Sequence, residues 1–229
     1  MAETLGTASR PEAPTAPVRT MTQEPDTVVP DATGGAQEVV PARVPTRLAG
    51  RHDGLVALAV CALFDAAGER LIRGLWARLE DAGIGSLASH THGHHHPHLS
   101  LAVLREWDLD RVRDTLGSLP DGGSFPANVQ GTVVFPRGRV ALAVAVPADV
   151  ALRQDRVTSA LIATGAQLHK HYRPTSWIPH VSVATRAPGA LLPVAVTAIS
   201  DVLPVTLTVA RAALVDTATG QTWLLPGIP

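Results

Sequence analysis

The sequence predicts an α/β (α+β) fold built as a duplication, and three observations carry that expectation. Pro97-His98-Leu99-Ser100-Leu101 returns 82 residues later as Pro179-His180-Val181-Ser182-Val183. Both copies lie in runs where polar and apolar positions alternate, the period of a strand buried on one face. The step from each histidine to a following turn glycine is forty residues, His98 to Gly138 and His180 to Gly220, so the intervening elements repeat as well.

Residues 1–50 hold seven of the nineteen prolines, are rich in Thr and Ala, and contain no aromatic residue. Such a segment cannot bury enough surface to offset its ordering entropy, and it is expected to be a disordered tail. The folded domain is expected over 51–229, as two pseudo-symmetric lobes of roughly 51–138 and 139–229 with strand exchange between them allowed.

Leu55 to Phe64 is a continuous apolar run, as in a strand covered on both faces. From Glu69, apolar residues at Leu71, Ile72, Leu75, Trp76 and Leu79 follow helical spacing, and Gly83 and Gly85 end the helix. A histidine-rich loop, His90 to His96, leads into the first motif strand, where alternation puts His98, Ser100 and Ala102 on one face. A helix over Leu109–Leu119 and a turn at Pro120-Asp121-Gly122-Gly123 follow. Val129–Phe135 and Val140–Val146 then flank Pro136-Arg137-Gly138-Arg139 as a hairpin with both arginines exposed. The second half repeats the plan: a helix over Ala148–Gln167, the His180 strand over Trp177–Ala184, a helix over Leu191–Leu203, and strands Val205–Val215 and Thr222–Leu225 about a turn.

Composition narrows the function. With 19 Lys and Arg against 20 Asp and Glu, the chain lacks the basic excess that an extended nucleic-acid groove needs. The single cysteine, Cys61, lies in the first apolar run and reads as a core residue. No apolar stretch approaches the ~18 residues of a membrane span, and the N-terminus lacks the apolar block of a secretory signal. A soluble, cytoplasmic, monomeric protein with no membrane partner is expected.

The paired Pro-His-Leu-Ser-Leu and Pro-His-Val-Ser-Val, each centred in a predicted strand, resemble the signature of the 2H phosphoesterases, which include the 2′-5′ RNA ligase-like proteins and cyclic phosphodiesterases. The resemblance covers about residues 52–227. It implies a bilobal fold, two antiparallel sheets with outer helices around a central cleft, with His98 and His180 facing the scissile phosphate and Ser100 and Ser182 binding its oxygens.

The chemistry suits these residue types independently. Opening a 2′,3′-cyclic phosphate needs a base for the attacking water and an acid for the departing ribose oxygen. Imidazole, with an unperturbed pKa of ~6.5, supplies both forms near neutrality. A hydroxyl two residues along the same strand face can donate to a non-bridging oxygen. The expected activity is a metal-independent phosphoesterase that needs no cofactor and acts on a small nucleotide or RNA end. The alternative is a non-catalytic nucleotide or RNA-end binding module of the same fold. The histidine run His90–His96 lacks regular metal-ligand spacing and is read as a solvated loop at the cleft rim, with no metal assigned. Tyr172, Trp177, Arg186 and His96 are candidate substrate contacts. The basic run His169-Lys170-His171-Tyr172-Arg173 could steer a phosphate to the cleft, or be a solvated helix end.

Overall fold

The computed structural model describes residues 57–229; the tail expected over 1–50, with Leu55 and Val56, lies outside them. The elements run β1 (Leu58–Phe64), α1 (Ala66–Asp81), β2 (Gly85–Ser86), β3 (His98–Glu106), α2 (Leu109–Gly117), β4 (Phe125–Phe135), β5 (Arg139–Ala145), α3 (Ala148–Ala163), β6 (Gln167–Leu168), β7 (His180–Arg186), α4 (Leu191–Ser200), β8 (Val205–Asp216) and β9 (Thr222–Leu224). The order is one unit, strand-helix-strand-strand-helix-strand, used twice: β1 to β4 and β5 to β8.

Sequence and structure differ at element ends for local reasons. Helix α1 starts three residues before Glu69, because Asp65 is its cap and accepts from the Gly68 amide at 2.7 Å. Helix α3 stops at Ala163, short of Gln167, where Gly165 takes a left-handed φ of 87°. The second motif strand begins at His180 rather than Trp177, since a 3-10 turn at Pro174–Ser176 precedes it.

The two expected antiparallel sheets are joined into one through β4 and β8, in the order β2-β7-β5-β4-β8-β1-β3-β6, with β9 on β8. The halves exchange strands reciprocally. The last strand of each pairs with the first strand of the other, β4 with β5 and β8 with β1. The short strands cross as well, β2 to β7 and β6 to β3. Five strand steps separate β3 from β7, about 24 Å in a flat sheet. Their Cα atoms nevertheless approach within 8 Å, so the sheet curls until the motif strands meet.

All seven residues of β1 are buried, as its apolar run predicts. One face of the sheet packs on the helices, α1 lying against α4 and β7, and α3 against α2 and β3. Ala59, Cys61, Leu63, Ala213 and Val215 form a second apolar floor on the face that carries the motifs.

The β4–β5 hairpin turns through Arg137 (φ 69°) and Gly138 (φ 71°). A Cβ at Gly138 would lie 2.5 Å from the Ala187 carbonyl oxygen, which in turn belongs to the stretch leaving β7. Gly138→Ala is therefore expected to destabilise the protein by roughly 1–3 kcal/mol in urea unfolding. Gly74→Ala, mid-helix in α1 with nothing within 4 Å of the added Cβ, should stabilise it by about 0.5–1 kcal/mol.

Candidate active site

His98 and His180 open β3 and β7, both half-buried, and they are held identically. His98 Nδ1 lies 2.7 Å from the His96 carbonyl oxygen, and His180 Nδ1 lies 2.7 Å from the Ile178 carbonyl oxygen. A carbonyl only accepts, so Nδ1 carries a proton in each ring and Nε2 is the nitrogen left free for chemistry. Burial lowers both pKa values below the ordinary 6.5, against the backbone bonds that raise them; His180 is lowered further by His98. The two rings sit on strands whose Cα atoms approach within 8 Å.

Both strands also bulge at one place, immediately after the serine. Cys61 pairs with Ser100 and Val60 with Ala102, skipping Leu101; Ala141 pairs with Ser182 and Val140 with Ala184, skipping Val183. The bulge corrects the alternation read from the sequence: Ala102 is buried in the helix-side core, and Val103, opposite Ala59, joins the motif face. Around His180 and Ser182 that face is kept low by Ala143 and Ala141, their cross-strand partners. The Phe135 ring lies across it, 4.7 Å from the His180 ring.

Two tryptophans brace the motif strands crosswise. Trp177, preceding the second motif, donates its indole N–H to the Ser100 carbonyl at 3.0 Å. Trp76, on α1 of the first half, donates to the Ser182 carbonyl at 3.3 Å. On α3, Gln154 bridges the carbonyls of Leu101 (3.1 Å) and Tyr172 (2.9 Å), securing the residue that the first bulge leaves over.

The remaining sequence candidates divide. Tyr172 comes to the site, its phenol against the Ser100 side chain, with the Cys61 thiol also against Ser100. Burial pushes both groups up to about 12, so both stay protonated. Trp177 spends its polar tip on the backbone, as described. His96 contributes its carbonyl, while its exposed ring turns to Glu69 at 3.7 Å. Arg186, opposite Gly85, is exposed at the far end of β7, about 20 Å along the strand from His180. Sequence reasoning missed Phe135, Trp76 and Gln154. Gln154 had a signal, a polar residue at helical spacing among the buried Val150, Val157 and Leu161 of α3, a stripe it shares with the polar Thr158.

The histidine loop is less solvated than expected. His95 is buried, its Nε2 2.8 Å from Thr91 Oγ1 and its ring 4.1 Å from that of His92, which packs on Gly220 of the β8–β9 turn. Among the described residues no three His, Cys, Asp or Glu side chains are arranged to hold a metal ion.

Two imidazoles with free Nε2 atoms, each two residues from a hydroxyl on facing strands of a duplicated α+β fold, match the paired-histidine signature of the 2H phosphoesterase superfamily. The family comparison agrees: the model of the 2′-5′ RNA ligase superfamily matches residues 66–221, and the chain belongs to that family of phosphoesterase- and ligase-type enzymes. No curated protein matches the chain. Among solved structures, a phosphoesterase crystal structure is similar at 17% identity and a TM-score of 0.50, covering 76% of this chain and 95% of that one. Escherichia coli LigT complexed with NADP+ is similar at 18% identity and a TM-score of 0.48, over 75% of this chain and 98% of that one. Kluyveromyces marxianus Usb1 with uridine monophosphate shares 14% identity at a TM-score of 0.44, over 75% and 97% of the two chains. Among the described residues, no helix is long and apolar enough to cross a membrane.

His95 gives a test of the loop. Its pKa is lowered to about 4, by burial first and then by the charges of His92, His98 and His90. The folded protein therefore binds fewer protons here than the unfolded chain, whose histidine titrates near 6.5. This group's contribution is present above pH 6.5 and is lost as pH falls from 6.5 toward 4. The urea midpoint should drop across that window, and His95→Gln should make the drop shallower.

Proposed function

We propose that the protein is a metal-independent phosphoesterase that hydrolyses a 2′,3′-cyclic phosphate or a related RNA-end or nucleotide phosphodiester. The observation that supports this best is the matched pair of Nδ1 hydrogen bonds, which leaves two Nε2 atoms of identical character on facing strands. In hydrolysis one neutral Nε2 takes a proton from water as the water oxygen bonds to phosphorus. The bond from phosphorus to one ribose oxygen breaks, and the other Nε2–H gives its proton to that oxygen. The product is a phosphomonoester, and the two rings have exchanged protonation states. Ser100 and Ser182, one beside each ring, donate to the non-bridging oxygens, and the Tyr172 hydroxyl stands behind Ser100 as a further donor.

Burial suits this division of labour. It holds both pKa values below the ordinary 6.5, which favours the neutral form of each ring in the free protein at pH 7. A bound phosphate anion favours the protonated form of one of them and restores the acid.

Turnover of nucleoside 2′,3′-cyclic phosphates is expected to survive a chelator. His98→Ala and His180→Ala should each lower kcat by about 10²–10⁴, and Ser100→Ala or Ser182→Ala by about 10²–10³. Tight nucleotide binding without any turnover would instead establish the binding module.

The pH profile of kcat/KM should be bell-shaped. The base is lost below its pKa and the acid above its own. Because both pKa values lie below the ordinary 6.5 in the free protein, the optimum should fall on the acid side of 6.5. The kcat profile, read with phosphate bound, should lie at higher pH. A profile flat from about pH 5 to 9 would exclude paired imidazoles.

A further inference from the structure

Helix α1 turns one face toward both motifs, and most of that face plays no part in the chemistry above. Glu69, Arg73 and Trp76 stand at i, i+4 and i+7, so they share it. Arg73 is the hub. Its Nε and Nη2 donate to Glu69 Oε1 at 2.9 and 2.8 Å, Nη2 also donates to the His95 carbonyl at 3.3 Å, and the guanidinium lies 5.6 Å from the centre of the Trp76 ring.

These contacts end on the stretch that sets His98. Arg73 holds the His95 carbonyl, the His96 ring lies 3.7 Å from Glu69, and the His96 carbonyl is the acceptor for His98 Nδ1. The bond from Arg73 holds the Glu69 carboxyl below its ordinary range against the effect of burial, and His96 adds to it. In the other direction, Trp76 donates its indole N–H to the Ser182 carbonyl. One helix face thus spans from the residues ahead of His98 to the strand that carries His180.

The second half holds its histidine by other means. Ahead of His180, the Pro179 carbonyl accepts from the Val144 amide at 3.1 Å and Trp177 is fixed on the Ser100 carbonyl, so Ile178 is pinned on both sides. Among the described residues, no backbone-to-backbone bond of that kind holds Pro97. Helix α3 repeats the acid-to-arginine step as Asp149 and Arg153, but Arg153 donates to the Gly123 carbonyl and lies over Phe125 instead of reaching the stretch ahead of His180. The clamp on His98 has no copy.

We infer that Arg73 is a positioning residue for His98: with Glu69 it fixes the stretch whose His96 carbonyl orients the ring, and through Trp76 it keeps that stretch in register with the strand of Ser182. The inference rests on the phosphoesterase reading of the paired histidines and adds a residue that acts through the backbone. An exposed ion pair does little for stability, so the effect belongs to the geometry of one ring. A catalytic group misplaced by ~1 Å can cost ~10²-fold in rate.

Nitrogen NMR of the histidine side chains, recorded above pH ~7 where the rings are neutral, reads which ring nitrogen carries the proton. In the wild type, His98 and His180 should both be protonated at Nδ1. In Arg73→Gln, His98 should become a mixture of tautomers while His180 keeps its own, and kcat on a nucleoside 2′,3′-cyclic phosphate should fall ~10-fold or more with KM within about 2-fold. Glu69→Gln, which keeps an acceptor for Arg73 but drops its charge, should move His98 the same way by less. Arg73→Lys should restore only part of the loss, since an ammonium lacks the fork that reaches two acceptors. Arg78→Gln, which removes a pair with Asp201 from the same helix, should change neither readout. An unchanged His98 tautomer in Arg73→Gln and Glu69→Gln, or an equal shift at His180, overturns the inference whatever the turnover. A rise in KM at unchanged kcat would make Arg73 a substrate contact and overturn it as well. A tautomer shift confined to His98 in a protein that turns nothing over would uphold the role of Arg73 on the ring and overturn the catalytic reading instead.

Discussion

The cleft depends on how two strands that face each other are kept from zipping together. β3 and β7 meet where the sheet closes on itself, and a direct ladder between them would fill the space a phosphate needs. At Ser100 and Ser182 the backbone carbonyls take indole N–H groups instead, from Trp177 and Trp76. Buried backbone acceptors require partners. A side-chain donor satisfies them without supplying another strand. Because each tryptophan comes from the half of the chain opposite its acceptor, the same bonds hold the halves together.

Duplication accounts for the matched histidine pair and divergence for its surroundings. The Nδ1 bonds to residues i−2 and the bulges after each serine are shared by both halves, so they belong to the repeated unit. Their neighbours differ. Ser100 has Cys61 and Tyr172 beside it, while Ser182 has Ala141; His180 is covered by Phe135. A scissile phosphodiester is itself unsymmetrical, with water on one side and a ribose on the other. On the proposed reading, a matched pair of histidines in an asymmetric pocket suits it.

The sequence shows the repeat, the motif strands and nearly every helix because each is written in local periodicity. Alternation around His98 and the Ile72-Leu75-Trp76-Leu79 stripe need no distant information. The bulges are not written locally, since a skipped residue is a property of pairing with β1 or β5. For the same reason Ala102 is misplaced by alternation. Trp76 was legible as core, but not as a donor to a carbonyl 106 residues away. In the histidine loop, composition suggested a solvated rim, and most of its residues are exposed, but His95 is buried against His92.

The strand exchange has a consequence for assembly. β1 gains its second ladder only when β8, some 150 residues later, has been made, so during synthesis the first half stays incomplete until the second is nearly finished. The last strand of each unit pairs with the first strand of the other unit rather than with its own. The halves are thus arranged as two copies of one unit that have swapped strands within a single chain.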